Sequence, residues 1–443
     1  MPPVPRARMI IAAAAIAIVG CQIGVRYSVG GTVTGLTGQG LVLADNAGAD
    51  LVIASNGTFV FTKGIANNDT YSVTVATQPS NPAQTCTVQN GSGTIDKADV
   101  SNVIVSCQQA GHHAYVANQL SNTLSAYSID AAGFLTPVAG SPFAISGTDP
   151  VSLAVDPNGR FLYVANHGSN DVAVFTIDSI TGALASAGLP SSTGSSPQAV
   201  TLDPTGSYLY VANFASNSVS AYAVESSTGL LTEIANSPFA VGAQPTSLQV
   251  APSGSFLYVT NFGDGTVDAL AIDSATGSLS RIFGSPFAAG AGALSLALDP
   301  SGAFAYVANE TAATISEYSI DASTGGLTLI AGSPLATGTS PESLAVDPAG
   351  HYLYAANVTA KDQVAAFSIA SLSGALALSG SPVAAGAFPI SIVLDPSGLF
   401  AYVANDSSND ISVYAVEPTT GAMTAVSHSP FPAGNEPRSI VID

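Results

Sequence analysis

Tyr163-Val164-Ala165-Asn166 is the stretch that decides the fold, because it does not occur alone. The same quartet, with at most one substitution, opens at Tyr115, Tyr210, Tyr258, Tyr306, Tyr354 and Tyr402. Successive copies start 48, 47, 48, 48, 48 and 48 residues apart. Seven units at so constant a period predict a repeat architecture, in which each unit buries its apolar faces against its neighbours.

The unit around that quartet reads strand by strand. Ser152-Leu153-Ala154-Val155 is a short apolar run. Asp156-Pro157-Asn158-Gly159 predicts a turn: Asp can accept backbone N–H groups, Pro pre-sets φ and Gly takes the left-handed position. Phe161 to Ala165 is a second strand, Asp171 to Ile177 a third and Ala183 to Ser186 an outer fourth, with Asp178 to Gly182 as the turn between the last two. Four antiparallel strands per unit and seven units predict an all-β fold, a seven-bladed β-propeller over 112–443. The second residue after each linker Pro (or its equivalent) is small: Ser152, Ala199, Ser247, Ser295, Ser343, Ser391 and Ser439. The third is aliphatic: Leu153, Val200, Leu248, Leu296, Leu344, Ile392 and Ile440. A small face against a large one suits blade-on-blade packing. The repeats begin on a second strand at His112 and end on a first strand, 438–443, so that strand is expected to close the ring and remove its open edge.

The N-terminus reads as an address. Residues 1–20 carry Arg6 and Arg8 and then an apolar run from Met9 to Val19. Eleven helical residues rise about 16 Å, short of a ~30 Å hydrocarbon core, so the pattern is that of a signal peptide rather than a span. Ile18-Val19-Gly20-Cys21 resembles a bacterial lipobox, which implies lipidation of Cys21 and a tether over 21–29. Gln22, in place of Asp, then implies sorting to the outer membrane. Residues 30–108 alternate short apolar strands with Asn/Gly/Asp turns, which predicts a small β-sandwich module, expected to act as a spacer. Cys86 and Cys107 are the other two cysteines, and in an exported chain such a pair predicts a disulfide.

Charge narrows the partners. The chain has 9 basic and 29 acidic residues, a net −20, so nucleic acid and a polybasic membrane patch are excluded as partners. No His pair has zinc spacing and no loop matches the EF-hand, so no metal or other cofactor is expected. There is no Gly-x-Ser-x-Gly elbow and no free Cys in the repeats.

Tyr-Val-Ala-Asn repeats with Asp-Pro-x-Gly turns resemble the YVTN-type seven-bladed propellers, the lactonase-like family that includes 6-phosphogluconolactonase and carboxymuconate-cyclising enzymes. What is shared is the blade itself, so the resemblance implies fold more than activity. The repeated Asn residues (118, 166, 213, 261, 309, 357 and 405) are expected to satisfy their own loop backbones. Candidate functional residues are sought where the repeat breaks: His167, Asp171, Asp264, Glu310, Lys361, Asp362, Asp406 and Asp410. A ring at the channel mouth reads Val151, Gln198, Thr246, Leu294, Glu342, Ile390 and Arg438, with Glu342 and Arg438 its only charges. Two readings follow. In the first, a lipid-anchored propeller binds a ligand or a cell-envelope protein, with Lys361 and Asp171 as ligand contacts. In the second, which the resemblance implies, it hydrolyses a carbohydrate lactone, with His167 or Glu342 as base and Arg438 as carboxylate anchor. The propeller's only cations are Arg160, Arg281, Lys361 and Arg438, too few and too dispersed for a phosphosugar, so a phosphate-free lactone is expected.

Overall fold

The computed structural model describes residues 25–443 apart from 37, 49, 80–83, 110–111, 339 and 359–361. The signal peptide, Cys21 and Lys361 lie outside the described residues. The chain divides at 110/111 into two compact units.

The first unit is a β-sandwich. One sheet runs Gly57–Val60, Val29–Thr34, Val100–Gln109, Gln84–Gln89; the other runs Asp50–Ile53, Leu41–Asp45, Thr70–Thr77, Ser92–Thr94. Alternate residues of both sheets (Val29, Val33, Leu41, Leu43, Val103 and Val105) share one core. The intervening Ile104 points outward, as a period of two requires. Cys86 and Cys107 sit opposite each other on neighbouring strands and are joined by a disulfide. Arg26–Tyr27 and Ile65–Ala66 form a separate two-stranded ribbon. Such two-residue strands, and the three-residue Ser92–Thr94, are too short to show alternation in sequence.

The second unit has seven antiparallel blades. Blade 2 consists of Pro150–Val155, Phe161–Asn166, Asp171–Ile177 and Leu184–Ser186. A further piece, Ser191–Ser192, pairs with the start of the third strand. Every blade carries such a piece, so the outer strand is split in two. In blades 1, 3, 4, 5 and 7 a Ser lies in the break, and its hydroxyl accepts the third-strand N–H that the split strand leaves without a carbonyl. Ser141 does so for Ala126 at 2.9 Å and Ser237 for Ala221 at 3.1 Å.

Three devices join blade to blade. The Tyr of the quartet is fully buried, and in every blade but the sixth its hydroxyl donates to a glycine carbonyl of the next blade. Tyr115 reaches Gly182, Tyr163 Gly229, Tyr210 Gly277, Tyr258 Gly325 and Tyr306 Gly374; Tyr402 returns to Gly133 in blade 1. These distances span 2.8 to 3.3 Å. Glycine is required at the acceptor: Gly229 has φ +73°, and a Cβ there would lie 2.5 Å from Phe161. Second, the small serines act along the inner edge. Val200 N–H donates to Ser152 Oγ at 3.2 Å, and the pattern repeats at Ser247, Ser295, Ser343, Ser391 and Ser439. Ala199 is the one gap. Third, large aliphatics such as Leu153, Val200 and Ile440 are buried between blades.

The repeated Asn residues are buried, and those of blades 1 to 5 and 7 tie the second strand to the third rather than capping their own loop. Asn166 Nδ2 donates to Asp171 Oδ1 at 2.7 Å, and Asn213 Nδ2 to Ser220 Oγ at 3.0 Å. Burial makes the strand-to-strand bond the stronger choice, because an amide hidden from water needs a fixed partner.

Blade 1 draws its innermost strand, Pro437–Ile442, from the C-terminal end, paired with His113–Asn118. In a continuous blade the turn Asp grips the next strand, as Asp156 Oδ1 does Phe161 N at 2.7 Å. Across the closure Asp443 Oδ1 does the same for His113 N at 2.7 Å, and its Oδ2 meets the buried His113 Nδ1 at 2.9 Å. Deleting residues 437–443 removes this ladder and the burial of Ile440, a loss of about 5 kcal/mol or more. The melting temperature of the propeller is expected to fall sharply; an unchanged calorimetric transition would contradict the closure.

Candidate functional site

The blades' inner strands converge on a channel, and the linkers place one residue of each blade at its mouth. Val151, Gln198, Thr246, Leu294, Glu342, Ile390 and Arg438 line a cavity there of about 340 Å³. That is near the lower end of the ~300–1,000 Å³ usual for small-molecule sites. The inner serines line it as well.

Glu342 and Arg438 both line this cavity. The Glu342 carboxyl is half-buried, and burial pushes its pKa up to about 7. Negative charge on Glu310 adds to the rise, and Arg438 opposes it. Arg438 does not make an ion pair with Glu342. Its Nη1 donates to Asp406 Oδ1 at 3.5 Å, while the side chain keeps about a quarter of its surface open. The mouth thus holds a carboxyl near its titration midpoint at neutral pH and a guanidinium anchored from one side. Such a pair can exchange a proton and orient a polar oxygen.

The other expected residues are placed elsewhere. His167 follows Asn166 in blade 2, with its N–H on Asp149 O at 2.8 Å, and it does not line the cavity. Asp171 is held by Asn166, as above, and Asp410 Oδ1 by Asn405 Nδ2 at 2.7 Å. Asp264 Oδ2 accepts Ala243 N at 2.5 Å, and Glu310 Oε2 accepts Thr311 Oγ1 at 3.0 Å. These acids fasten loops, the ordinary use of short polar side chains at turns. Two of the propeller's cations are also engaged in structure. Arg160 lies 3.6 Å from Asp156 and over the Phe161 ring. Arg281 Nη2 reaches the fully buried Asp268 at 3.0 Å. Asp268 stands where four other blades carry Ser125, Ser220, Ser316 or Ser412, and the sequence pairs it with nothing in particular. Among the described residues no group of three or more His, Cys, Asp or Glu could hold a metal ion.

Sequence reasoning missed Phe388. It is the residue before the linker Pro of blade 7, at φ +60°. Its counterparts are Asp149, Ser196, Gln244, Gly292, Ser340 and Glu436. Phe388 is the single aromatic in that series and also lines the cavity. The signal lies in the residue before the linker Pro, whereas the small and aliphatic pattern lies in the residues after it.

The model of the lactonase, 7-bladed beta-propeller family matches residues 69–248 and 240–441. The chain belongs to that family. Its fold is that of a candidate 6-phosphogluconolactonase from Bacteroides fragilis, with a TM-score of 0.67 at 21% identity over 75% of this chain and 98% of that one. It is equally that of the periplasmic gluconolactonase of Pseudomonas aeruginosa, with a TM-score of 0.66 at 20% identity over 75% and 98% of the two chains. No curated protein matches.

The causes acting on Glu342 can be separated. Glu310→Gln should move its titration to lower pH, and Arg438→Gln to higher pH, each followed by carbon NMR of the Glu carboxyls. An unchanged titration in both variants would mean that these charges do not act on Glu342.

Proposed function

We propose that this chain is a cell-envelope protein, held at the outer membrane by lipid on Cys21, whose propeller binds a small phosphate-free ligand at the channel mouth. The observation that carries the ligand reading is the placement of Glu342 and Arg438, the ring's only charges, in one cavity of about 340 Å³. A cavity of that size suits a monomeric guest. Arg160 and Arg281 do not line the cavity and are already paired, which leaves little for a phosphate. The anchor rests on the charged start, the short apolar run and Ile18-Val19-Gly20-Cys21. Changing Cys21→Ser should release the protein from membranes into the soluble envelope fraction; a variant that stays membrane-bound would refute the anchor.

A second reading, lactone hydrolysis, is favoured by the Glu342 pKa of about 7. Ionised Glu342 would take a proton from water as the water oxygen bonds to the lactone carbonyl carbon. Arg438 would hold the carbonyl oxygen as it gains charge. Cleavage of the ring C–O bond would then return the proton from Glu342 to the leaving alkoxide, giving the hydroxy acid. The family membership, and the name of the Pseudomonas neighbour, make sugar lactones the first compounds to try. The base must be ionised, so turnover above the spontaneous rate should rise with pH through about 7. In Glu342→Gln it should fall by about 10²-fold or more. Binding of the hydroxy acid without turnover would leave the binding reading alone; neither binding nor turnover would remove the site.

A further inference from the structure

The linker out of blade 4 lacks two oxygens that the other linkers have. In a linker, the two residues before the Pro position each donate a backbone N–H to a side chain of a flanking loop. After blade 1, Thr148 N donates to Ser169 Oγ at 3.1 Å and Asp149 N to Asn122 Oδ1 at 2.7 Å. The same two bonds recur after blade 2 at Ser195 and Ser196, and after blade 3 at Ala243 and Gln244. They recur again after blade 6 at Ala387 and Phe388, and after blade 7 at Asn435 and Glu436. After blade 4 the corresponding residues are Ala291 and Gly292. Here Ala312 stands in place of the Ser and Gly265 in place of the Asn, so neither side chain has an oxygen to offer. Among the described residues neither N–H has an acceptor. Gly292 is buried, and a buried N–H without a partner is costly. Gly292 is also left-handed, at φ +73°, and successive N–H groups at such a bend form a concavity for an anionic oxygen.

Ala291 and Gly292 line a cavity of about 490 Å³, formed by loops of blades 4 and 5, that shares no residue with the channel mouth. Asp264 is the one charged residue lining it, and the half-buried Phe262 lines it too. A simple anion on the two N–H groups would face the Asp264 carboxylate with no cation to offset it. A simple cation beside Asp264 would leave the N–H groups unmet. A small molecule carrying both charges meets both requirements. We propose that this cavity is a second site and binds a free α-amino acid. The two carboxylate oxygens take the N–H groups of Ala291 and Gly292, doing what the Ser Oγ and Asn Oδ1 do in the other linkers. The ammonium is held by Asp264, and Phe262 offers an apolar face to the side chain. The site is independent of the chemistry at the channel mouth.

The test is an NMR titration of the purified, nitrogen-labelled protein at pH 7 with three probes. L-Alanine carries both charges; propionate lacks the ammonium, and ethylammonium lacks the carboxylate. Wild type should bind L-alanine about tenfold or more tightly than either half, and the amide signals of Ala291 and Gly292 should shift as it binds. Asp264→Asn keeps an oxygen for Ala243 N but removes the charge. It should weaken L-alanine about tenfold and leave propionate no weaker. The double variant Ala312→Ser, Gly265→Asn returns both oxygens and should abolish L-alanine binding. It should melt no lower than wild type, because Asn tolerates the left-handed region and other blades carry these residues at the same places. Should it melt lower, Asp264→Asn decides alone. L-Alanine bound no more tightly than its halves would overturn the amino-acid class. Affinity unchanged in the deciding variant, or shifts that spare Ala291 and Gly292, would overturn the site. Binding of no probe would overturn the inference as a whole.

Discussion

The structure depends on a buried phenol that must find its hydrogen-bond partner outside its own blade. A tyrosine with no exposure cannot leave its hydroxyl unpaired without a cost of about 1–3 kcal/mol. Here the partner is a glycine carbonyl one blade further on, and the last such bond leads from Tyr402 back to Gly133. Burial holds these phenols protonated, as donors, well above their ordinary titration range. The relation is circular: each blade is completed by its neighbour, and the strand 437–442 completes the first. A repeat bound in this way tolerates little change at Tyr, at the acceptor Gly or at the inner Ser. Chemistry is left to the loops and to the residues flanking the linker Pro.

The departures are not spread evenly. Blade 6 is where the repeat loosens. Among the described residues Tyr354 is the one quartet Tyr whose hydroxyl has no partner, and Asn357 Nδ2 donates to Ala355 O within its own strand. Glu342 lies on the inner strand of this blade, and Phe388 in the linker that leaves it. Glu310, Asp406 and Arg438 flank them from blades 5, 7 and 1. One arc of the mouth is therefore charged and carries the aromatic, while Val151, Thr246 and Leu294 on the remaining arc are uncharged. Thr246 is further engaged in packing, its hydroxyl donating to Leu294 O at 2.8 Å. An asymmetric site on a symmetric scaffold is how a repeat protein acquires selectivity without loss of stability.

Much of this was legible in the sequence. The period of the quartet gives the blade count, and Asp156-Pro157-Asn158-Gly159 gives the turn, because both are local signals with a fixed physical meaning. Glu342 and Arg438 were readable as the charges in an otherwise neutral ring. What was not legible depended on distance in three dimensions. The pairing of Arg281 with Asp268 and of Arg438 with Asp406 joins residues whose spacing follows no motif. His167 looked well placed because its loop faces the right way, yet its backbone follows Asp149 and its side chain is not in the cavity wall. The Asn residues read as structural in the sequence, but their partner does not, since sequence shows the adjacent loop and not the facing strand. The split outer strand is not legible in sequence because two residues cannot display a period.

If this propeller's chemistry sits on the charged arc at the channel mouth, a crystal of the protein soaked with a phosphate-free sugar lactone or its hydroxy acid should show ligand density between Phe388, Glu342 and Arg438, with an oxygen within hydrogen-bond reach of the guanidinium. Ligand ordered instead on another face of the propeller, with the mouth filled only by water, would contradict it.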